Sequence, residues 1–100
     1  MSKHYPPEML RKLRNGIPIN VLIADLLDLP NKMADGYFRF LCPICREFIT
    51  ATNPKTNLAR CFRCERNFNP IDMVMTVKRY NFKETVEYLS GIVNLNLKKD

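Results

Sequence analysis

Cys42-Pro-Ile-Cys45 and Cys61-Phe-Arg-Cys64 form a C-x2-C-x15-C-x2-C pattern, and no other feature of this chain constrains its fold as strongly. A two-residue gap lets a tight knuckle point both sulfurs at one ion, and the 15 residues between the pairs must double back to bring the second knuckle to the first. The expected product is a tetrahedral Cys42, Cys45, Cys61, Cys64 site holding one Zn2+ through Zn–S bonds of about 2.3 Å. Four protein ligands leave no open position, so the site is structural rather than catalytic. Two other chemistries use the same residues: disulfides, which need an oxidising compartment, and iron, which accepts a tetrahedral sulfur set as zinc does. The start of the chain, Met1-Ser-Lys-His-Tyr-Pro-Pro7, lacks the apolar centre of a secretion signal. No stretch approaches the ~18 consecutive apolar residues of a membrane span. A cytoplasmic, reducing setting with no membrane is therefore expected, and there cysteines serve first as metal ligands. His4 lies too near the terminus to be preferred as a ligand.

A chain of 100 residues predicts a single domain over 1–100 and leaves no room for a second catalytic domain of the usual ~100–200 residues. Apolar residues make up 46% and charged residues 26%, the balance of a globular protein rather than a disordered one. So short a chain buries only about 60–65% of its extended surface, and a metal crosslink compensates for the small core. Lys and Arg number 16 against 10 Asp and Glu, a net charge of +6 that remains +4 after four thiolates and one zinc are counted. The balance favours an anionic partner such as nucleic acid without establishing one.

The remaining pattern predicts an α+β fold, a small antiparallel sheet carrying the cysteines between N- and C-terminal helices. Pro6-Pro7 with Glu8 opens a helix that Gly16 closes. A second apolar-periodic run from Ile17 extends to about 28, before a stop at Pro30-Asn31, although Leu26, Leu27 and Leu29 also suit the start of a strand. From Asp35-Gly36 the period becomes two, with Tyr37, Arg39 and Leu41 alternating with Phe38 and Phe40 in a strand that runs into Cys42. Residues 48 to 62 read as a hairpin turning at Asn53-Pro54, so the ribbon covers about 37–68. Asn69-Pro70 with Asp72, then Asn81 with Glu84, are two helix starts, and Gly91 is expected to stop the second near residue 90.

Around the knuckles basic and aromatic residues interleave. Tyr37, Arg39, Arg46, Arg60, Arg63 and Arg66 are the candidate nucleic-acid contacts, since guanidinium groups pair with phosphates and aromatic rings stack on bases. Residues 42 to 69 carry five basic against two acidic side chains. In so small a ribbon only one or two of Tyr37, Phe38, Phe40, Phe48 and Phe62 are expected to escape the core, with Tyr37 and Arg39 on the strand face opposite Phe38 and Phe40.

The runs Tyr37-Phe-Arg-Phe-Leu-Cys-Pro-Ile-Cys45, Cys61-Phe-Arg-Cys64, Asn69-Pro-Ile-Asp-Met-Val-Met75 and Phe82-Lys-Glu-Thr-Val-Glu-Tyr-Leu89 resemble the N-terminal zinc-binding domain of bacterial DnaG-type primases. The opening Pro7-Glu-Met-Leu-Arg-Lys-Leu-Arg-Asn-Gly16 is similar to that domain's start, so the likeness covers nearly the whole chain. It implies a zinc ribbon that binds single-stranded template, helps select initiation sites, and works with a separate polymerase or helicase protein that supplies catalysis. It also implies that Phe62 is the apolar knuckle residue and Asp72 the acid at a helix start. The chain departs from the family pattern in three places. Cys45 stands where a histidine is usual, Arg46-Glu-Phe-Ile-Thr-Ala51 replaces a longer lysine-bearing loop, and Glu65-Arg-Asn-Phe68 replaces glycines. No cluster of catalytic side chains or phosphate-binding glycine loop is present in the sequence, so no catalytic residue is assigned. A regulatory or protein-docking zinc ribbon is the alternative expectation, and an iron-bearing electron carrier a weaker one.

Overall fold

A computed structural model of the chain describes residues 5–97, so His4 lies outside the described residues. The first helix, α1, spans Pro7–Asn15, with Pro7 at its first position, Glu8 in the positive first turn and Gly16 as its C-cap. Only Leu13 of this helix is buried. The second helix, α2, is a single turn over Ile19–Val21 that widens into a π-helical turn over Leu22–Leu26. Its i→i+5 bond runs from the Leu27 N–H to the Leu22 carbonyl at 2.8 Å. That bond uses Leu27 in the helix, which excludes the reading of Leu26 and Leu27 as the start of a strand. Asp28 then turns the chain with φ 55°.

The ribbon begins earlier than residue 37. Strand β1, Asn31–Ala34, pairs antiparallel with β2, Tyr37–Phe40, in the register Asn31 to Phe40 and Ala34 to Tyr37. Asp35 and Gly36, with φ 54° and 80°, form the two-residue loop with positive φ at both positions that suits a right-twisted hairpin. Asn31 to Met33 are all exposed, so β1 has no apolar alternation, and its pairing is dictated by the turn alone.

The second sheet is three-stranded, β3 (Thr50–Asn53), β4 (Leu58–Cys61) and β5 (Arg66–Phe68), in the order β3-β4-β5 and antiparallel throughout. The hairpin predicted over 48 to 62 is its first half, and β5 is an addition made by the segment after the second knuckle. Thr50 joins the two sheets. Its hydroxyl donates to the Phe40 carbonyl at 2.6 Å and accepts from the Phe40 N–H at 2.8 Å, replacing with one side chain the pair of bonds a neighbouring strand would make.

Helix α3, Pro70–Lys78, opens on a reciprocal cap in which the Asn69 side chain accepts from the Asp72 N–H and the Asp72 carboxylate from the Asn69 N–H. Helix α4, Phe82–Leu97, opens on the same device between Asn81 and Glu84, at 2.7 and 2.8 Å. It does not stop at Gly91. Among the described residues, nothing beyond the neighbouring residues and backbone of its own helix stands within 4 Å of where a Gly91 Cβ would lie, and helix on both sides carries the glycine through.

Leu13, Ile17, Ile19, Leu22 and Ile23 from the N-terminal helices meet Phe40, Ala59, Phe68, Met73, Val74, Val86, Leu89 and Val93 in one core, which Cys42 and Cys61 border. Asn57, at the end of the β3–β4 turn with φ 58°, anchors the helices to the sheet. Its Oδ1 accepts from the Ile19 N–H at 2.7 Å, and its Nδ2 donates to the carbonyls of Arg14 at 2.6 Å and Ile17 at 2.9 Å. No apolar pattern marks this residue.

Two substitutions test these assignments by thermal unfolding of the zinc-loaded protein. Asn57→Ala leaves two buried backbone groups, the Ile19 N–H and the Ile17 carbonyl, and the part-buried Arg14 carbonyl without this partner and is expected to cost about 3 kcal/mol. Gly91→Ala enters open space inside a helix and is expected to stabilise by about 0.5–1 kcal/mol.

Candidate metal centre

The two knuckles are built alike. In the first, the Arg46 N–H donates to the Cys42 carbonyl at 2.9 Å and the Ile44 N–H donates to the Cys42 sulfur at 3.4 Å. In the second, the Cys64 N–H donates to the Cys61 sulfur at 3.3 Å. Each knuckle is left through a residue in the left-handed region, Arg46 at φ 63° and Glu65 at φ 55°. Glycine is the residue that enters this region without strain; Glu65 takes it at a cost of about 1 kcal/mol.

This geometry brings all four sulfurs within 4.8 Å of one another. Cys42 and Cys64 lie 3.8 Å apart, Cys45 and Cys61 3.6 Å. A tetrahedron with bonds of about 2.3 Å has edges of about 3.8 Å, and these two edges match it. The cysteines are free rather than disulfide-bonded, with Cys42 and Cys61 buried and Cys45 and Cys64 half-buried. Cys42 follows β2 and Cys61 ends β4, so each sheet delivers one inner ligand to the ion. Cys45 completes the set, with its sulfur 3.6 Å from that of Cys61.

Crowding four thiols also sets their protonation. Burial raises Cys64, and hydrogen bonds with Cys45, Cys61 and Cys42 push it further, to about 12. Cys45 is raised as well, by burial first, against a lowering contact from the Glu47 backbone. Burial opposes ionisation of Cys61 too, but the Cys64 N–H and the neighbouring sulfurs outweigh it and bring this thiol down to about 7. Without a cation the raised Cys45 and Cys64 thiols keep their protons at neutral pH, and a divalent ion supplies the charge that lets them ionise.

The candidate nucleic-acid residues spread over the ribbon. Tyr37 is 54% exposed and Phe62 50%, while Phe40 is fully buried and Phe38 and Phe48 are partly so, which leaves two free rings as expected. Arg39 is half-buried, with Nη1 on the Thr50 carbonyl at 2.7 Å and its guanidinium 5.5 Å from the Tyr37 ring. Arg60 lies 5.7 Å from the Phe62 ring. Arg46 and Arg63 are exposed at the knuckles, and Arg66 is exposed over the edge of Phe68 at 5.4 Å. Arg39, Arg60 and Arg66 thus stand in the sheets, and Arg46 and Arg63 at the knuckles. Ile49, which sequence reasoning did not single out, pairs through its carbonyl with the Phe62 N–H at 2.9 Å and is 49% exposed beside it. Its place in the alternation Ile49-Thr50-Ala51, outward when Thr50 is inward, is the signal that would have marked it.

Because zinc binds thiolates, loading the site must expel the protons held on the raised cysteines, and lowering the pH must oppose it. Zinc titration at pH 7.5 in weak buffer is expected to release about two protons per ion, and the zinc affinity to fall at least about tenfold per pH unit below that. Cys61→Ser is expected to lose the metal and the cooperative unfolding of the ribbon together, read by zinc content and circular dichroism.

Comparison with known proteins agrees with this geometry. The family model described as "CHC2 zinc finger", the DnaG zinc ribbon, matches residues 5–100. A DNA primase of Streptomyces coelicolor is 28% identical over 100 residues, an alignment that covers 98% of this chain and 15% of that protein. The chain thus spans about 15% of the length of this relative. With the family model over nearly its whole length and the four sulfurs at zinc distances, the chain belongs to the CHC2 zinc-finger family of DnaG-type zinc ribbons, and its cofactor is one structural zinc ion.

Proposed function

We propose that this zinc ribbon is a non-catalytic module that holds single-stranded DNA template during primase-type initiation, in a cytoplasmic setting, with a separate polymerase or helicase protein supplying the chemistry. The observation that carries the reading is the placement of Arg60 and Phe62 together on the open face of the β3-β4-β5 sheet, one residue on either side of the metal ligand Cys61. Alternation along β4 sends Ala59 and Cys61 inward and leaves Arg60 and Phe62 outward, a cation beside an exposed ring. Such a pair suits a single strand, whose backbone needs positive charge and whose unstacked bases need a flat apolar surface.

Tyr37 with Arg39 repeats the arrangement on β2, and Arg63 and Arg66 extend the positive charge around the second knuckle. A duplex offers its bases only through grooves, and short strands with isolated rings are a poor match for them, so the single strand is favoured. The relative of Streptomyces coelicolor is named a DNA primase, which agrees with a template-binding role for a module of this kind.

Fluorescence anisotropy of a labelled single strand, compared with duplex of equal length at several salt concentrations, tests the proposal on the zinc-loaded chain. Single strand is expected to bind more tightly, with affinity falling steeply as salt rises. Arg63→Ala, which replaces an exposed side chain at the second knuckle, is expected to weaken binding about threefold to fivefold and to lower the salt slope by about one. Absence of single-strand binding at low salt would overturn the proposal and turn attention to the protein-docking alternative.

A further inference from the structure

The register of the β1–β2 hairpin fixes which way each backbone group of β1 points. The Leu41 N–H donates to the Pro30 carbonyl at 2.9 Å, so Pro30 and Leu41 are a bonded pair. Bonded and unbonded pairs alternate along an antiparallel ladder, which makes Lys32–Arg39 and Ala34–Tyr37 bonded and Asn31–Phe40 and Met33–Phe38 unbonded. Phe40 agrees, since its N–H and carbonyl turn away from β1 to the Thr50 hydroxyl. The N–H and C=O groups of Asn31 and Met33 therefore point off the outer edge of β1, where none of the four has a partner among the described residues. Nothing covers that edge either: Asn31 to Met33 are exposed, Met33 by 69%. Unpaired backbone groups at strand spacing are a template for one more strand.

We infer that β1 is a docking edge for an extended segment of a partner protein, which pairs with Asn31 and Met33 and sets an acidic residue opposite Lys32, with apolar residues on either side of it. Charge decides against a second copy of this chain. Two copies can use all four groups on each edge only in the antiparallel register that sets Asn31 against Met33 and Lys32 against Lys32, and like charges directly opposite one another oppose pairing. Lys32 already faces a like charge across the hairpin, its register partner Arg39. Both stand on one side of the sheet, the Lys32 ammonium 4.8 Å from the Phe48 ring and the Arg39 guanidinium 5.5 Å from the Tyr37 ring. A carboxylate on the incoming strand supplies the opposite charge this pair lacks. The residues flanking that acid fall on the other side of the sheet, the side of Met33 and Phe38, so apolar side chains suit them. The inference uses a different edge from the proposed DNA surface and stands apart from the single-strand reading.

The test follows the backbone amides of the isotope-labelled, zinc-loaded chain by NMR while acetyl-Thr-Val-Glu-Val-Thr-amide is added to millimolar concentration. The Asn31 and Met33 amides are expected to shift most, and those of Lys32 and Ala34, already bonded to β2, little. The same peptide with Lys in place of Glu is expected to bind about threefold to fivefold more weakly, and Lys32→Glu to reverse that order. Met33→Pro removes one outward N–H at an edge position that tolerates proline, and is expected to weaken peptide binding about tenfold while the β2 amides keep their positions. Equal binding of the two peptides, unmoved Asn31 and Met33 amides, or binding that survives unchanged in Met33→Pro would overturn the inference. Asn31 and Met33 shifts that grow with protein concentration alone would overturn it too, by assigning the edge to a second copy.

Discussion

Four sulfurs converging on one point hold the middle of this chain together. Residues 42 to 64 supply few large apolar side chains to the core, and the strands they form are three or four residues long. Sheets of that size are marginal in water without a covering layer or a crosslink. The zinc site is that crosslink, and it joins more than its own knuckles. Cys42 is attached to β2 and Cys61 to β4, so one ion ties the two-stranded sheet to the three-stranded one at the place where no strand pairing does so. Burial of the same site raises the Cys45 and Cys64 thiols, and their hydrogen bonds with Cys42 and Cys61 add to it.

Side chains complete what the metal begins, and they do so by acting as backbone. Thr50 offers Phe40 a donor and an acceptor from one hydroxyl, which lets two short sheets meet without a shared ladder. Asn57 offers a donor pair and an acceptor to the helix linker, across a sequence separation of about 40 residues. Burial of polar groups costs free energy unless their bonds are made, so each of these residues has one acceptable position relative to its partners. The helices, the hairpins and the knuckles are thereby placed relative to one another by specific bonds as well as by the apolar core.

Much of this was legible in the residues, for reasons that differ by element. The cysteine spacing encodes the knuckles because zinc geometry tolerates few loop lengths, and both capping boxes were readable because Asn69 with Asp72 and Asn81 with Glu84 act within four residues. Strand β1 was not legible, since Asn31 to Met33 face solvent and the positive-φ loop at Asp35-Gly36 was taken as a change of period instead of a hairpin turn. Gly91 misled because glycine closes helices far more often than it sits inside them, whereas packing of Val86, Leu89 and Val93 carries α4 past it. The partners of Arg39 and Arg60 were out of reach, because Thr50 and Asn67 come beside them only through pairing between strands.

That pairing has a consequence for how the ribbon can recognise anything. Arg39 and Arg60 each have one arm of the guanidinium fixed to a sheet partner, the Thr50 carbonyl and the Asn67 amide, and each lies near an aromatic ring two residues away on its own strand. A free surface arginine loses about 2 kcal/mol of rotamer entropy when it is held against a ligand, and part of that loss has already occurred here on folding. The fixing depends in turn on strand register, and the register of β4 depends on Cys61, whose sulfur must reach the ion. Loss of zinc would therefore loosen both arginines by releasing the register of β4 that Cys61 sets.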